Sequence, residues 1–369
     1  AHLAAVLLFA LVAGGLLSTR MTTPFDEVSH FDYVTRVAAD GDVPPLGDRL
    51  GQTALDELSC YGGPGFAALT CGAPPYDPAV LVWSGVSVAT SYAPYYYVAT
   101  GAVTRAIHDL GVSTWLVSAR MANALWLLVL AWVLVSIIIR LGATPLVAFA
   151  GASLACLMPM MISQSVTVGN DVAGVLVACI AAWWWLAHAD SRRLVRLGGS
   201  LAFAVLAMGV KETATIALFL IVALEISRYT EMSGRGGLAV GWQRLRGIGV
   251  IVGSAFVAAV AFAFLKYLFW PSVRGVTDIT SGMDAVTEAD GRKGLFLAYR
   301  GAEEMFVGPT GPPSNFPLSA IASTTAMIAI GSLFFVAFNQ RSASRTTRAL
   351  AIGGALFFLL FPLLVWANL

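Results

Sequence analysis

Apolar runs of helical length recur along the whole chain, at roughly 1–18, 115–140, 144–163, 171–189, 197–210, 212–228, 247–270, 317–338 and 349–366. A bilayer core is spanned by about 20 apolar residues, and no water is there to pair with exposed backbone. Composition points the same way: 58% of residues are hydrophobic and only 12% charged, against about 25% charged in soluble domains. The chain therefore reads as an all-α polytopic membrane protein with about nine transmembrane helices. Its net charge of +1 gives no footprint for a nucleic-acid partner. Some runs are short for a bilayer, notably the pair flanking Lys211, which reads as a hairpin reaching the outer face.

Orientation follows from where Lys and Arg fall in the short connections. Arg140, then Arg192, Arg193 and Arg196, then Arg228, Arg235, Arg244 and Arg246, then Arg341, Arg345 and Arg348 mark one side as cytoplasmic. The opposite side receives a first large loop, 19–114, the Asn170-Asp171 turn, Lys211-Glu212 and a second large loop, 271–316. On this reading every unusual polar feature lies on the outer face. Residues 1–369 form one transmembrane module; apolar runs at both ends, with no signal-peptide pattern at Ala1, suggest a chain trimmed at both ends.

Within the first loop, Phe25, Val28, Phe31, Val34 and Val37 recur at helical spacing, which predicts an amphipathic interfacial helix over 24–39, stopped by Gly41. Residues 40–80, rich in Gly, Pro, Asp and Ser, predict an irregular loop pinned by a disulfide between Cys60 and Cys71, since an outer compartment is oxidising. A second interfacial helix is expected over 94–108. It is placed flat on the surface, because a span there would invert every later arginine loop. The second large loop suits a lid or a connector.

Asp26, Glu27 and His30 stand at the end of the first apolar run. Ionisable groups at a membrane edge are candidates for function, because their desolvation must be offset by a partner, water or substrate. Thr23, Pro24 and Asp26 also match a helix cap, which is the bland alternative. On a helix Asp26 and His30 share a face and suit a proton relay or a metal. Asn170 and Asp171 open the helix near 171–189, as cap or as site. Lys211 is a lone outer cation beside Glu212, suited to snorkelling, lipid phosphate or catalysis. Trp83, Tyr92, Tyr95, Tyr96 and Tyr97 fit an interfacial belt or a sugar-stacking surface.

Taken in order, these features resemble the GT-C superfamily of integral membrane glycosyltransferases. The carriers of the resemblance are Asp26-Glu27 with His30 and Phe31 after the first helix, Ala93-Pro94-Tyr95-Tyr96-Tyr97, Arg120-x-x-Asn123, Asn170-Asp171, and Met208-Gly209-Val210-Lys211, over roughly residues 1–230. The tyrosine segment lacks the family's His and first Pro. Bacterial members with a Pro-x-Asp-Glu-x-x-His-Phe pattern and no assigned substrate look most similar.

The resemblance implies a bacterial plasma-membrane enzyme whose active site faces outward. It would move a sugar, with inversion, from a polyprenyl-phosphate donor to a hydroxyl of an envelope glycan, lipid or protein. Asp26 would be the general base, Glu27 would share or replace that role, and Lys211 would steady the departing phosphate. His30, Asn170, Asp171, Tyr92, Tyr95 and Tyr96 would hold substrate. A monophosphate donor requires no cofactor, whereas a diphosphate donor would bring in a divalent cation. The competing class is a transporter or flippase of a lipid-linked sugar, and a third reading is a non-catalytic scaffold.

Overall fold

The structure is a computed structural model. It describes residues 27–45, 47–61, 69–72, 74–77, 81, 85–112, 114–157 and 159–211, with further positions within 2–10, 214–228 and 249–262. Asp26 and its cap, Trp83, Glu212, the second large loop and the runs at 317–338 and 349–366 lie outside the described residues. The described chain is helical; among the described residues the only β pairing is one isolated bridge, Arg49 to Val86. Among the described residues, two helices are long and apolar enough to cross a membrane, Trp115–Arg140 and Arg193–Val210.

Helix α1, Glu27–Thr35, continues as one π-helical stretch, Arg36–Asp40. Gly41 ends it at φ +70, in the left-handed region that only glycine enters without strain. An interfacial amphipathic helix was the expectation, with one face to solvent. Instead all nine residues of α1 are buried, polar and apolar alike, so each polar side chain needs a partner inside the protein.

Helix α2, Gln52–Tyr61, occupies what the sequence presents as irregular loop. Its buried Ala54, Leu55 and Leu58 form an apolar face at helical spacing, hidden by the Gly, Asp and Ser around it. Cys60 near its end is bonded to Cys71.

Helix α3, Tyr95–Asp109, leads into α4, Trp115–Arg140. Two acceptors satisfy the first turn of α4: the Thr114 hydroxyl takes Val117 N–H at 3.3 Å and the Glu57 carboxylate takes Leu116 N–H at 3.1 Å. Burial pushes the Glu57 carboxyl up from its ordinary value, against the lowering effect of those N–H groups.

One helix is predicted over 144–163, yet the chain makes two, α5 (Pro145–Cys156) and α6 (Pro159–Val166). Pro159 has no N–H to donate and its ring collides with the preceding turn, so α5 cannot run through it. Helix α7 covers Asp171–Ala187 and α8 covers Arg193–Val210, the latter starting four residues before the apolar run at 197.

Among the described residues, three large clusters and one small pair, Ala124 with Val166, make the core. Phe31, Leu58, Tyr96, Tyr97 and Leu116 bind α1 through α4 at one end. Leu127, Leu130, Ala148, Ala152 and Leu176 join α4, α5 and α7. Ala181, Trp185, Leu197 and Met208 pack α7 on α8 together with Leu218 and Ile221. Ala131, Ala148, Ala152, Ala181 and Ala204 are fully buried in these clusters, while Leu125, Val129, Trp132, Leu146, Val147 and Leu154 face outward.

Candidate active site

Glu27 opens α1 and is 1% exposed. A carboxylate cannot stay ionised there without strong partners. Arg120, from the first turns of α4, supplies a two-pronged pair, Nε to Oε1 at 2.7 Å and Nη2 to Oε2 at 2.8 Å. Val168 N–H adds a third donor at 3.0 Å. Glu27 therefore ties α1, α4 and the segment after α6 into one body. Glu27 is thereby committed to architecture.

Asn123, one turn along α4, does similar work. Its Oδ1 accepts from the Tyr96 hydroxyl at 2.9 Å, and its Nδ2 donates to the carbonyls of Gln164, Ser165 and Thr167. Tyr96, proposed from the sequence as a sugar contact, is thus buried at 1% and bonded inward, and burial pushes its phenol well above the usual range. Its neighbour Tyr95 is exposed and packs on Gly209, where a Cβ would approach the ring to 2.9 Å.

Around Tyr92 the predicted residues do converge. Lys211 Nζ sits 5.2 Å from the centre of the Tyr92 ring and 3.1 Å from Asp171 Oδ1, combining a cation–π contact with an ion pair. The His30 imidazole stacks on the same Tyr92 ring, centroids 5.5 Å apart and planes 22° from parallel. Lys211 ends α8 and Asp171 begins α7, so the pair closes the gap between two antiparallel helices. Gly174 permits this approach: a Cβ there would lie 2.8 Å from that of Lys211.

Asn170 precedes α7 but makes no side-chain cap. Its Nδ2 donates across to Val210 carbonyl at 2.8 Å, and its buried Oδ1 has no hydrogen-bond donor among the described residues. Such an orphaned acceptor costs about 1–3 kcal/mol and is uncommon enough to mark the position.

His30 is fully buried, with Nδ1 2.7 Å from the Tyr97 hydroxyl. Tyr97 in turn stacks on Tyr33 at 3.8 Å, planes 5° apart. Two residues along α1 from His30, Asp32 accepts from Gly51 N–H at 2.6 Å and from Arg36 at 3.3 Å. Arg36 also reaches Asp48 at 2.6 Å and the Arg49 carbonyl. Burial is the dominant influence on Asp32 and holds its carboxyl above the usual range, with Arg36 and Gly51 pulling the other way.

Sequence reasoning took Arg120 and Asn123 only as carriers of the resemblance and Tyr97 only as one of several belt or sugar-stacking aromatics, and gave none of them a partner in the site. An arginine inside an apolar run is the signal that could have found the first, because it demands a buried anion. It also placed all unusual polarity on one face. The structure corrects this: at the far end of α8, Arg196 holds Glu225 through Nε at 3.0 Å and Nη2 at 2.7 Å, with Trp185 Nε1 donating to the same carboxylate at 2.9 Å. Arg193 and Arg196, expected in a cytoplasmic connection, belong to α8 itself.

Among the described residues no three His, Cys, Asp or Glu side chains gather as a metal site. Comparison with protein-family models and with curated proteins finds no match.

Proposed function

We propose that this chain is a GT-C-like membrane glycosyltransferase that transfers a sugar from a polyprenyl-phosphate donor to an envelope hydroxyl at the outer face of a bacterial plasma membrane. The observation that carries the reading is the meeting of Lys211, Asp171 and His30 around one aromatic ring, Tyr92. A phosphate leaving group asks for a fixed cation where negative charge develops, and Asp171 and Tyr92 hold the Lys211 ammonium in place for it. Phosphate would compete with Asp171 for that ammonium.

Asp26 directly precedes Glu27 in sequence, and Glu27 is locked into the core. In this mechanism Asp26 takes the acceptor's proton as the hydroxyl attacks the anomeric carbon, while Glu27, next to it in sequence, fixes the start of α1. Asn170 Oδ1 offers an acceptor to a sugar hydroxyl. The nine-span arrangement belongs to the same proposal. It is supported by helices whose buried faces include small residues such as Ala148, Ala152 and Ala204 and whose exposed faces carry Leu125, Val129, Trp132 and Leu146, a distribution suited to close helix packing in lipid.

The test is turnover of a panel of labelled polyprenyl-phosphate sugars with crude envelope acceptor, by wild type and Asp26→Asn, with and without EDTA. Release of lipid phosphate that disappears in a folded Asp26→Asn variant supports the reading. Equal release by both returns Asp26 to a helix cap. Transport of a lipid-linked sugar is the second reading, favoured by the Arg196–Glu225 pair buried at the opposite end from Lys211. Flipping of the lipid in vesicles without turnover would select it.

A further inference from the structure

We infer that Tyr97 is a positioning residue that fixes the tautomer of His30, donating its hydroxyl proton to Nδ1 so that the neutral ring carries its own proton on Nε2. The contact is 2.7 Å and both residues are fully buried, so solvent does not compete for it. A phenolic O–H is a stronger donor than a neutral imidazole N–H, and an imidazole lone pair is a stronger acceptor than a phenol oxygen. The pair is best matched with the phenol donating, and the bond at one ring nitrogen sets the state of the other.

The hydroxyl is also held from swinging away. The Tyr97 ring lies flat on Tyr33 at 3.8 Å and meets Tyr96 edge-on at 5.0 Å. His30 is itself stacked between Tyr92 and Tyr97, at 5.5 and 5.7 Å with planes 22° and 13° from parallel. The ring therefore sits in a column of aromatics with one edge pinned. Such a histidine offers an N–H donor and not a base. Only this consequence rests on the glycosyltransferase reading: His30 would serve a substrate oxygen as donor, leaving proton abstraction to Asp26.

The chain has four histidines, so nitrogen-15 spectra of histidine-labelled full-length protein in mildly alkaline buffer are tractable, with His30→Gln assigning the signal. The expected result is one His30 tautomer, Nδ1 unprotonated and Nε2 protonated. Tyr97→Phe keeps the stacked ring and removes the hydroxyl, and should lose that single state to a mixture of tautomers. A protonated Nδ1 in the wild type overturns the inference, and so does a single unchanged tautomer in Tyr97→Phe. Because the spectra report tautomer whether or not sugar is transferred, a failed assay and a failed inference are told apart.

Discussion

Arg120 and Glu27 meet across ninety-three residues of chain, through two parallel hydrogen bonds of 2.7 and 2.8 Å. With both side chains within 2% of full burial, water shares none of the load. Removing one partner strands the other charge, which costs about 3–5 kcal/mol in buried pairs. Arg120→Leu should therefore lower stability in detergent by about that amount, read from the midpoint of thermal or denaturant unfolding. A change under about 1 kcal/mol would show that the pair is solvated.

The ion pair at the site differs in kind. Lys211 is 15% and Asp171 36% exposed, and pairs open to solvent contribute about 0–1 kcal/mol. Lys211→Met should leave the unfolding midpoint nearly unchanged while lowering turnover about a hundredfold or more, the scale seen when a charge-stabilising donor is lost. Loss of stability in step with activity would make Lys211 a structural residue.

Gly174→Ala addresses the same cation without touching a polar group. The new methyl would meet the Lys211 side chain at 2.8 Å, closer than carbon atoms tolerate, so α7 and α8 must separate. Turnover should fall, and the unfolding midpoint with it. Gly198→Ala, where the added carbon meets nothing within 4 Å, serves as the control and should gain up to about 1 kcal/mol from helix propensity.

Asp32 should make stability depend on pH in an unusual direction for a carboxylate. Its folded value is raised above 3.8 by burial, so between the unfolded and folded values the native state holds the extra proton. The stabilising contribution is complete below about 3.8 and fades as pH rises through the folded value. Relative to Asp32→Asn, the wild type should therefore gain stability on acidification through this window. A loss over the same window would show that Arg36 and Gly51 outweigh desolvation.

Reduction of the Cys60–Cys71 bond, or replacement of both residues by serine, releases a loop with a sequence separation of 11. In the chain-entropy model this costs about 3 kcal/mol. Comparing unfolding midpoints with and without reductant measures it; an unchanged midpoint would mean that α2 is held by packing alone.

Helix positions were legible wherever an apolar run was long and uninterrupted, as in Trp115–Arg140 and Asp171–Ala187. They were lost where a single residue overrode the run, as Pro159 does, or where ten residues with a modest apolar face lay among loop formers, as in Gln52–Tyr61. For the site, polar residues standing out against an apolar background singled out His30, Asp171, Lys211 and Tyr92 one by one, and the structure brings them together. Roles were not legible, because they depend on which partner each side chain finds. Glu27 and Tyr96 face inward to Arg120 and Asn123, and those contacts span chain separations that no local pattern encodes.

Helix α8 is gripped at both ends. Its Arg196 is clamped by Glu225 and Trp185, and its C-terminal Lys211 is seated against Asp171 and Tyr92. At 1.5 Å per residue the two anchors stand about 22 Å apart. A helix cannot be compressed along its axis over that distance, so it acts as a gauge rod: the depth at which the ammonium meets its neighbours is dictated from the other end of the bundle. Loosening Glu225 would then retune the site without altering any residue that surrounds it.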